Sequence, residues 1–251
     1  LDRNANHIDA ARQMLLAQGV YGQVTASRLA GDELPLIDGL VNLLIVDAAL
    51  GIPRKEMLRV LAPQGVLMTR GAKGWTRHQK PRPRDIDDWT HYLHDSSGNA
   101  VAHDAQVGPP RHMQWVGSPR WSRHHDRMAS LSAMVSGGGR LFYIMDEGSR
   151  VSIQLPPDWK LVARDAFNGT ILWKQPLSNW HSHLWPLKSG PTQLARRLVT
   201  DGKRIYVTLG LKAPLSVLDA ATGERQSDLT GSVGTEEIVV NDGTVFAMVN
   251  D

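Results

Sequence analysis

The chain has 251 residues, of which 41% are hydrophobic and 21% are charged, and its net charge is +3 at pH 7. This composition excludes a disordered chain and allows one large domain or two ordinary ones with a buried core. The absence of cysteine excludes disulfides, thiolate metal sites and a cysteine nucleophile. No apolar run reaches about 18 residues, so no transmembrane segment is predicted. The basic stretch 70–84 is rich in Pro and Gly and is interpreted as a solvated linker, so a nucleic-acid partner is not expected.

Residues 1–74 alternate between helical and strand patterns, which favours an α/β layer of the doubly wound type. The continuous apolar run 40–46 predicts a strand buried on both faces of a parallel sheet. The other predicted elements are helices at 6–18 and 54–61 and strands at 24–26 and 66–69. The chain starts at Leu1 with no signal peptide and ends in a strand pattern, so we expect a fragment of a longer protein.

Part of this segment resembles a known enzyme family. Leu34-Pro35-Leu36, Val41-Asn42-Leu43-Leu44 and the run 58–65 are similar to the second half of class I S-adenosylmethionine-dependent methyltransferases. The resemblance implies a partial Rossmann-like fold, with Asp2 binding the ribose of S-adenosylmethionine. Ala30 and Asn42 stand where the family has acids, so we expect a degenerate domain that transfers no methyl group; an active methyltransferase is the alternative.

Residues 75–130 form a joint that is rich in histidine. Asp85 is expected to cap a short helix that places Asp87, His91 and His94 on one face, opposite Trp89. Two imidazoles and a carboxylate at this spacing can hold a divalent metal or act as an acid–base group. The alternative is an amphipathic helix whose histidines form hydrogen bonds to nearby loops. The rest of the joint is predicted to be irregular but ordered, with His124 and His125 on a ligand-facing surface or in an inter-domain hydrogen-bond network.

Residues 131–251 contain short strand patterns that recur. Three turn-and-strand elements begin at Gly138, Asp201 and Asn241, and two strand-and-turn elements cover 161–169 and 215–223. Recurrence of short strands every 40 to 50 residues is typical of β-propeller blades. The sequence therefore predicts an all-β segment of incomplete blades after the α/β segment.

The series from Asp165 to Trp173 resembles the repeat of the pyrroloquinoline-quinone (PQQ)-like β-propellers. In that family the Asp and the Thr or Asn close a turn between strands, and the Trp packs between blades. The order of the three segments resembles large exported bacterial proteins of this type, which implies a periplasmic or extracellular location. The same resemblance makes PQQ a candidate cofactor.

The stretch Trp180–Pro186 interrupts the blades, and His181 and His183 there have the spacing that places both rings on one face of a strand. We expect six histidines to converge where the joint meets the blades, and these are the candidate catalytic residues: His91, His94, His124, His125, His181 and His183. The candidate metal ligands are His91, His94, Asp87, His181 and His183. Separate hydrogen bonds that join two domains are the alternative.

These observations favour an exported β-propeller scaffold that binds a ligand or a partner and carries a degenerate methyltransferase-like domain. The first alternative is an enzyme whose histidine-rich site, with or without a metal, acts on a polysaccharide or another polar substrate. The others are a PQQ-dependent dehydrogenase and an active methyltransferase. The expected partner is a polar small molecule, a polysaccharide or a protein.

Overall fold

A computed structural model describes residues 1–106, 108–109, 113–123, 130–152, 154–181 and 191–250. The chain divides into two compact units, Leu1–Pro83 and Arg84–Asp251. Among the described residues, strands account for 38% and helices for 13%, so this part of the chain is mainly β. Within the ranges just given, no helix has the length and apolar character needed to cross a membrane. The division into 1–74, 75–130 and 131–251 stays a prediction.

The first unit contains a small mixed sheet and two helices. Its elements are α1 (Ala5–Ala17), β1 (Val41–Asp47), a 3-10 helix (Ala48–Leu50), α2 (Arg54–Val60), β2 (Leu61–Gly71) and β3 (Gly74–Gln79). The Asn4 side chain accepts a hydrogen bond from the Asn6 N–H and caps α1. β1 pairs with β2 in parallel, and β2 pairs with β3 in antiparallel orientation. The predicted strand at 24–26 is wrong, because only an isolated bridge between Tyr21 and Val24 forms there.

The core of the first unit covers one face of this sheet. Val46, Val60 and Leu61 are buried in it, whereas Leu43 and Ile45 of β1 are 54% and 60% exposed. Alternate residues of a strand point to opposite faces, so β1 buries only one of its faces. The expectation of a strand buried on both faces is therefore wrong for this unit. A Rossmann-like arrangement stays a prediction.

The first unit is expected to lose stability in acid. Glu56 accepts hydrogen bonds from Arg59 and from the Leu34 N–H, and these lower the pKa of its carboxyl to about 2. A lowered folded-state pKa gives stability that is present above the unfolded value of about 4.3 and is lost as the pH falls towards 2. We expect the melting temperature of this unit to fall over that window, and Glu56→Gln to flatten the dependence. Asp9→Asn, on the exposed side of α1, is the control that leaves the acid slope unchanged.

The described residues of the second unit form ten strands in three sheets. The strands are β4 (Leu131–Gly137), β5 (Arg140–Asp146), β6 (Trp159–Asp165), β7 (Ile171–Pro176), β8 (Leu198–Thr200), β9 (Arg204–Thr208), β10 (Leu215–Asp219), β11 (Arg225–Asp228), β12 (Thr235–Asn241) and β13 (Thr244–Val249). A 3-10 helix (Thr192–Arg197) precedes β8. The sheets β4–β7, β8–β11 and β12–β13 each consist of consecutive antiparallel strands. This order is consistent with the blades of an incomplete propeller, and no sheet closes on itself in the part of the chain described.

A shared hydrophobic core lies between the first two of these sheets. Phe142 and Leu161 from the first sheet, Ile205 and Leu218 from the second, and Trp180 belong to one buried cluster. Trp180 is fully buried, and its indole N–H donates to Ser132 Oγ at 2.8 Å. The pairing of this polar atom allows so large a ring to be buried without an unsatisfied donor.

A tryptophan packs on the turn after the third strand of each four-stranded sheet. Asp165 and Asp219 close these turns, because each accepts two backbone N–H groups through Oδ1. Trp173, on β7, donates its indole N–H to the Ala220 carbonyl at 3.3 Å. Trp173 thus joins the first sheet to the second, as the family resemblance implied.

Trp115 occupies the corresponding place on the first sheet. Its indole N–H donates to the Ala166 carbonyl at 3.1 Å, and its ring covers Gly169 as the Trp173 ring covers Gly223. Trp115 comes from the irregular part of the joint, where no strand pattern in the sequence predicted this packing. The joint therefore supplies to the first sheet the kind of aromatic ring that the first sheet supplies to the second.

Candidate functional site

The first part of the joint crosses all three sheets of the second unit. We call residues 88–96 the strap. Three of its acceptor atoms accept hydrogen bonds from backbone N–H groups of three different strands. The Trp89 carbonyl accepts the Ser136 N–H at 2.7 Å, and the Thr90 carbonyl accepts the Thr200 N–H at 3.0 Å. His91 Nε2 accepts the Val240 N–H at 3.0 Å. Successive strap residues therefore bind successive sheets.

The three N–H donors hold equivalent places in their sheets. Each is the last or penultimate residue of the first strand of its sheet: β4, β8 and β12. The sequence offsets between them are 64 and 40 residues, close to the 63 and 40 residues that separate Gly138, Asp201 and Asn241. The strap thus lies at the same level across the first strands of all three sheets.

The short helix predicted over the strap does not form. The backbone turns back at residues 91–94, where the His91 N–H donates to the His94 carbonyl at 3.1 Å, and His94 has a positive φ of 77°. The backbone groups of Trp89 form hydrogen bonds to Ser136 of β4, and the Thr90 carbonyl accepts one from Thr200 of β8. Asp87 Oδ1 accepts the Asp88 N–H at 2.9 Å. The helix prediction is wrong because these bonds take groups that a helix would have used. Asp87 and His94 nevertheless meet.

His91 has a structural role. Its Nε2 accepts the Val240 N–H, so the ring proton of the neutral form lies on Nδ1, which is 2.8 Å from Thr90 Oγ1. Burial lowers the pKa of His91, and the nearby charge of Asp95 opposes this only in part. Both ring nitrogens are occupied, so His91 acts as a neutral link between the strap and β12.

His94 is held from one side by a carboxylate. Its side chain is 4% exposed, and Nε2 lies 2.7 Å from Asp87 Oδ2. The same oxygen accepts the His103 N–H at 2.7 Å. Burial on its own would raise the pKa of Asp87, but the hydrogen bonds from His103 and His94 outweigh it and lower that pKa. Asp87 is therefore an ionised acceptor that fixes the His94 ring.

The other nitrogen of His94 faces a second carboxylate and a second imidazole. Among the described residues Nδ1 has no hydrogen-bond partner, and it lies 3.4 Å from Asp95 Oδ2. The His94 and His103 rings are 5.3 Å apart, centroid to centroid. One ligand atom from each of His94, Asp95 and His103 lies within 4.8 Å of the other two. We call these three residues the His94 cluster.

Asp95 belongs to the His94 cluster and also lines a cavity. Hydrogen bonds from the Ser97 hydroxyl and N–H lower the pKa of Asp95, so its carboxyl is ionised. The cavity has a volume of about 320 Å³ and lies between the strap and β12. Its polar lining includes Asp95, Ser96, Ser97, Arg196 and Glu237. Arg196 Nη1 pairs with Glu237 Oε1 at 2.5 Å across its wall.

The remaining predicted site residues have other surroundings or fall outside the described ranges. His181 is buried against Trp159, with ring centroids 4.9 Å apart, and it lines a different cavity with Arg197. His124, His125 and His183 lie outside the described residues. The convergence of six histidines stays a prediction. Asp2 accepts the Asn4 N–H and contacts His7 at 3.0 Å, and its binding of S-adenosylmethionine also stays a prediction.

Comparison with known proteins gives distant structural similarities. No protein-family model and no curated protein matches the chain. A europium-containing methanol dehydrogenase is similar over 64% of this chain and 27% of that chain, with 10% sequence identity and a TM-score of 0.35. The chain thus spans about a quarter of the length of that dehydrogenase.

Sequence reasoning missed His103 as a member of the site. His103 follows an irregular loop, and no periodic pattern relates it to His94. Its place is set by the bond between its backbone N–H and Asp87, a contact that spans 16 residues of sequence. The usable signal was the density of histidines beside acids in this stretch.

Proposed function

We propose that this chain is a ligand-binding scaffold of blade-like sheets, and that the cavity between the strap and β12 is its ligand site. The observation that carries the proposal is the lining of that cavity. Its wall is fixed by the bonds that the strap makes to all three sheets, so the polar groups facing the cavity are preorganised. Preorganised walls lower the entropic cost of binding.

The chemistry of the lining favours a neutral ligand that carries hydroxyl groups, such as a saccharide unit. Arg196 and Glu237 neutralise each other, and Asp95 adds a negative charge that disfavours an anion. Hydroxyl groups can both donate to the carboxylates and accept from the guanidinium and the serines. Tyr92 also lines the cavity and is 47% exposed, so its ring offers a surface on which a sugar ring can pack.

Binding is favoured over acid–base catalysis because the histidine that lines this cavity is already occupied. Both nitrogens of His91 form hydrogen bonds to the protein. A general base needs a free nitrogen within reach of the proton that it removes. An exported location belongs to this proposal, with the family resemblance as its support.

The test is saturation-transfer NMR and calorimetry of the full chain with a panel of mono- and oligosaccharides. We expect binding to at least one member, and Tyr92→Ala should weaken it about tenfold, which corresponds to about 1.4 kcal/mol. Tyr21→Ala is the matched control, because Tyr21 is also 47% exposed but belongs to the first unit. An equal loss with both variants, or binding only of anionic compounds, would contradict the proposal.

A further inference from the structure

We propose that His94, Asp95 and His103 form a binding site for a divalent transition metal, with Zn²⁺ as the best-suited ion. The inference does not depend on the ligand of the neighbouring cavity. It rests on the geometry of the His94 cluster and on the carboxylate of Asp87 behind it.

The ring of His94 is oriented as a metal ligand would be. Its Nε2 faces Asp87 Oδ2 at 2.7 Å, and a carboxylate only accepts, so Nε2 carries a hydrogen. In the neutral ring Nδ1 then has a lone pair, which is buried and faces the Asp95 carboxylate at 3.4 Å. Two electron-rich atoms at this distance repel each other unless a proton or a metal cation lies between them. A metal ion bound to Nδ1 and to the Asp95 oxygen removes the repulsion and satisfies the buried nitrogen.

Asp87 lies where metal-binding histidines have a supporting carboxylate. Histidines that bind metals usually donate their other ring N–H to a carboxylate or carbonyl, which fixes the ring and raises its basicity. Asp87 makes this contact with His94 and also holds the backbone of His103 at 2.7 Å. One carboxylate thus positions both nitrogen ligands.

The three ligand atoms are close enough together to share one ion. Bonds to zinc of about 2.0–2.2 Å in a tetrahedron place neighbouring ligand atoms roughly 3–4 Å apart. The three atoms lie within 4.8 Å of one another, so a small contraction completes the geometry. His94 is buried and fixed, whereas His103 is exposed and free to move towards the ion by a rotation of its side chain.

The set of ligands decides the kind of metal. Two imidazoles and one carboxylate favour zinc and neighbouring transition metals, whereas calcium and magnesium prefer all-oxygen sites. Three protein ligands leave a fourth position for water or a ligand group, as in sites where the metal binds a substrate. His103 is the exposed member of the cluster, so an ion held there would be reachable from solvent.

The test is calorimetry of the untagged full chain with Zn²⁺, Co²⁺, Mg²⁺ and Ca²⁺ at pH 7.5, together with the absorption spectrum of the cobalt form. We expect one zinc ion per chain, a tetrahedral cobalt spectrum and no comparable binding of Mg²⁺ or Ca²⁺. His103→Ala, at an exposed position, should weaken zinc binding at least tenfold without changing the thermal melt of the metal-free protein. Asp87→Asn should weaken it 10- to 100-fold, because the orientation of His94 is lost.

Two further measurements keep the test decisive. His7→Ala is the control, since His7 is an exposed histidine of the first unit, and it should leave zinc affinity unchanged. Long-range ¹H–¹⁵N NMR should show His94 protonated at Nε2 alone in the zinc-loaded protein. The proposal is overturned if His103→Ala binds zinc like the unaltered chain, if His124→Ala with His125→Ala abolishes binding instead, or if His94 stays doubly protonated in the presence of zinc.

Discussion

Gly223→Ala is expected to destabilise the second unit by about 2–4 kcal/mol, through strain and overpacking together. Gly223 has a φ of 76°, and a Cβ there would lie 2.7 Å from the indole ring of Trp173. The backbone conformation alone costs an alanine about 1 kcal/mol. The remainder comes from pushing away a ring that is tied to the Ala220 carbonyl and packed against the buried core.

Gly231→Ala separates the two contributions. Gly231 has a φ of 78°, and an added Cβ would meet nothing within 4 Å. It should therefore cost only the backbone term of about 1 kcal/mol. Urea unfolding of the full chain, followed by tryptophan fluorescence, measures both variants. Equal losses at the two positions would show that the contact between Trp173 and Gly223 contributes nothing.

Gly169→Ala extends the comparison to the turn that Trp115 covers. A Cβ at Gly169 would lie 2.4 Å from the Trp115 ring, so the loss should be at least as large as at Gly223 if the surroundings of both rings are equally rigid. Trp115 belongs to a segment with little regular structure, which can yield more readily than a strand. A smaller loss at Gly169 than at Gly223 would show that the segment around Trp115 moves aside.

The strands of the second unit could be predicted from the sequence because the signals for them are local. Turn residues such as Asp201-Gly202 precede alternating apolar residues, and β9 follows directly at Arg204. Asp219 and Gly223 likewise predict the turn that follows β10. Helix α1 of the first unit could also be predicted from the sequence, since the Asn4 side chain caps it.

The strap could not be predicted, because its conformation is decided by partners far away in the sequence. Ile86, Trp89 and Leu93 have a helical spacing, and the local pattern favoured a helix. The hydrogen bonds from the N–H groups of Ser136, Thr200 and Val240 stabilise this segment more than a single helical turn would. Tertiary contacts therefore override local preference at the segment that forms the candidate site.

The candidate site was predicted in part for the same reason. The pairing of Asp87 with His94 was expected from a helical spacing and occurs without the helix. His91 was expected to act with them, but its ring is used by Val240. Spacing along the chain identified the region and the residue types. The hydrogen-bond partner of each histidine nitrogen, however, depended on the neighbouring sheet.

Asp146→Ala is expected to destabilise the second unit by about 3–5 kcal/mol, because it leaves the charge of Arg123 buried without its partner. The side chains of Arg123 and Asp146 are 1% and 5% exposed, and Nη1 lies 2.7 Å from Oδ2. Asp146 Oδ1 also accepts the N–H groups of Gly148 and Asp158. The substitution therefore breaks the link between the joint, β5 and the loop before β6.

Asp158→Ala is the matched control for this prediction. Asp158 lies in the same loop and pairs with Lys160 at 2.7 Å, but its side chain is 55% exposed. Exposed ion pairs contribute about 0–1 kcal/mol, so the unfolding free energy should fall by no more than that. Replacing Arg123 and Asp146 together by Met and Leu should recover much of the loss of Asp146→Ala, since no unpaired charge remains. If the double replacement is as unstable as Asp146→Ala, the destabilisation comes from the lost loop contacts of the two side chains rather than from a buried charge.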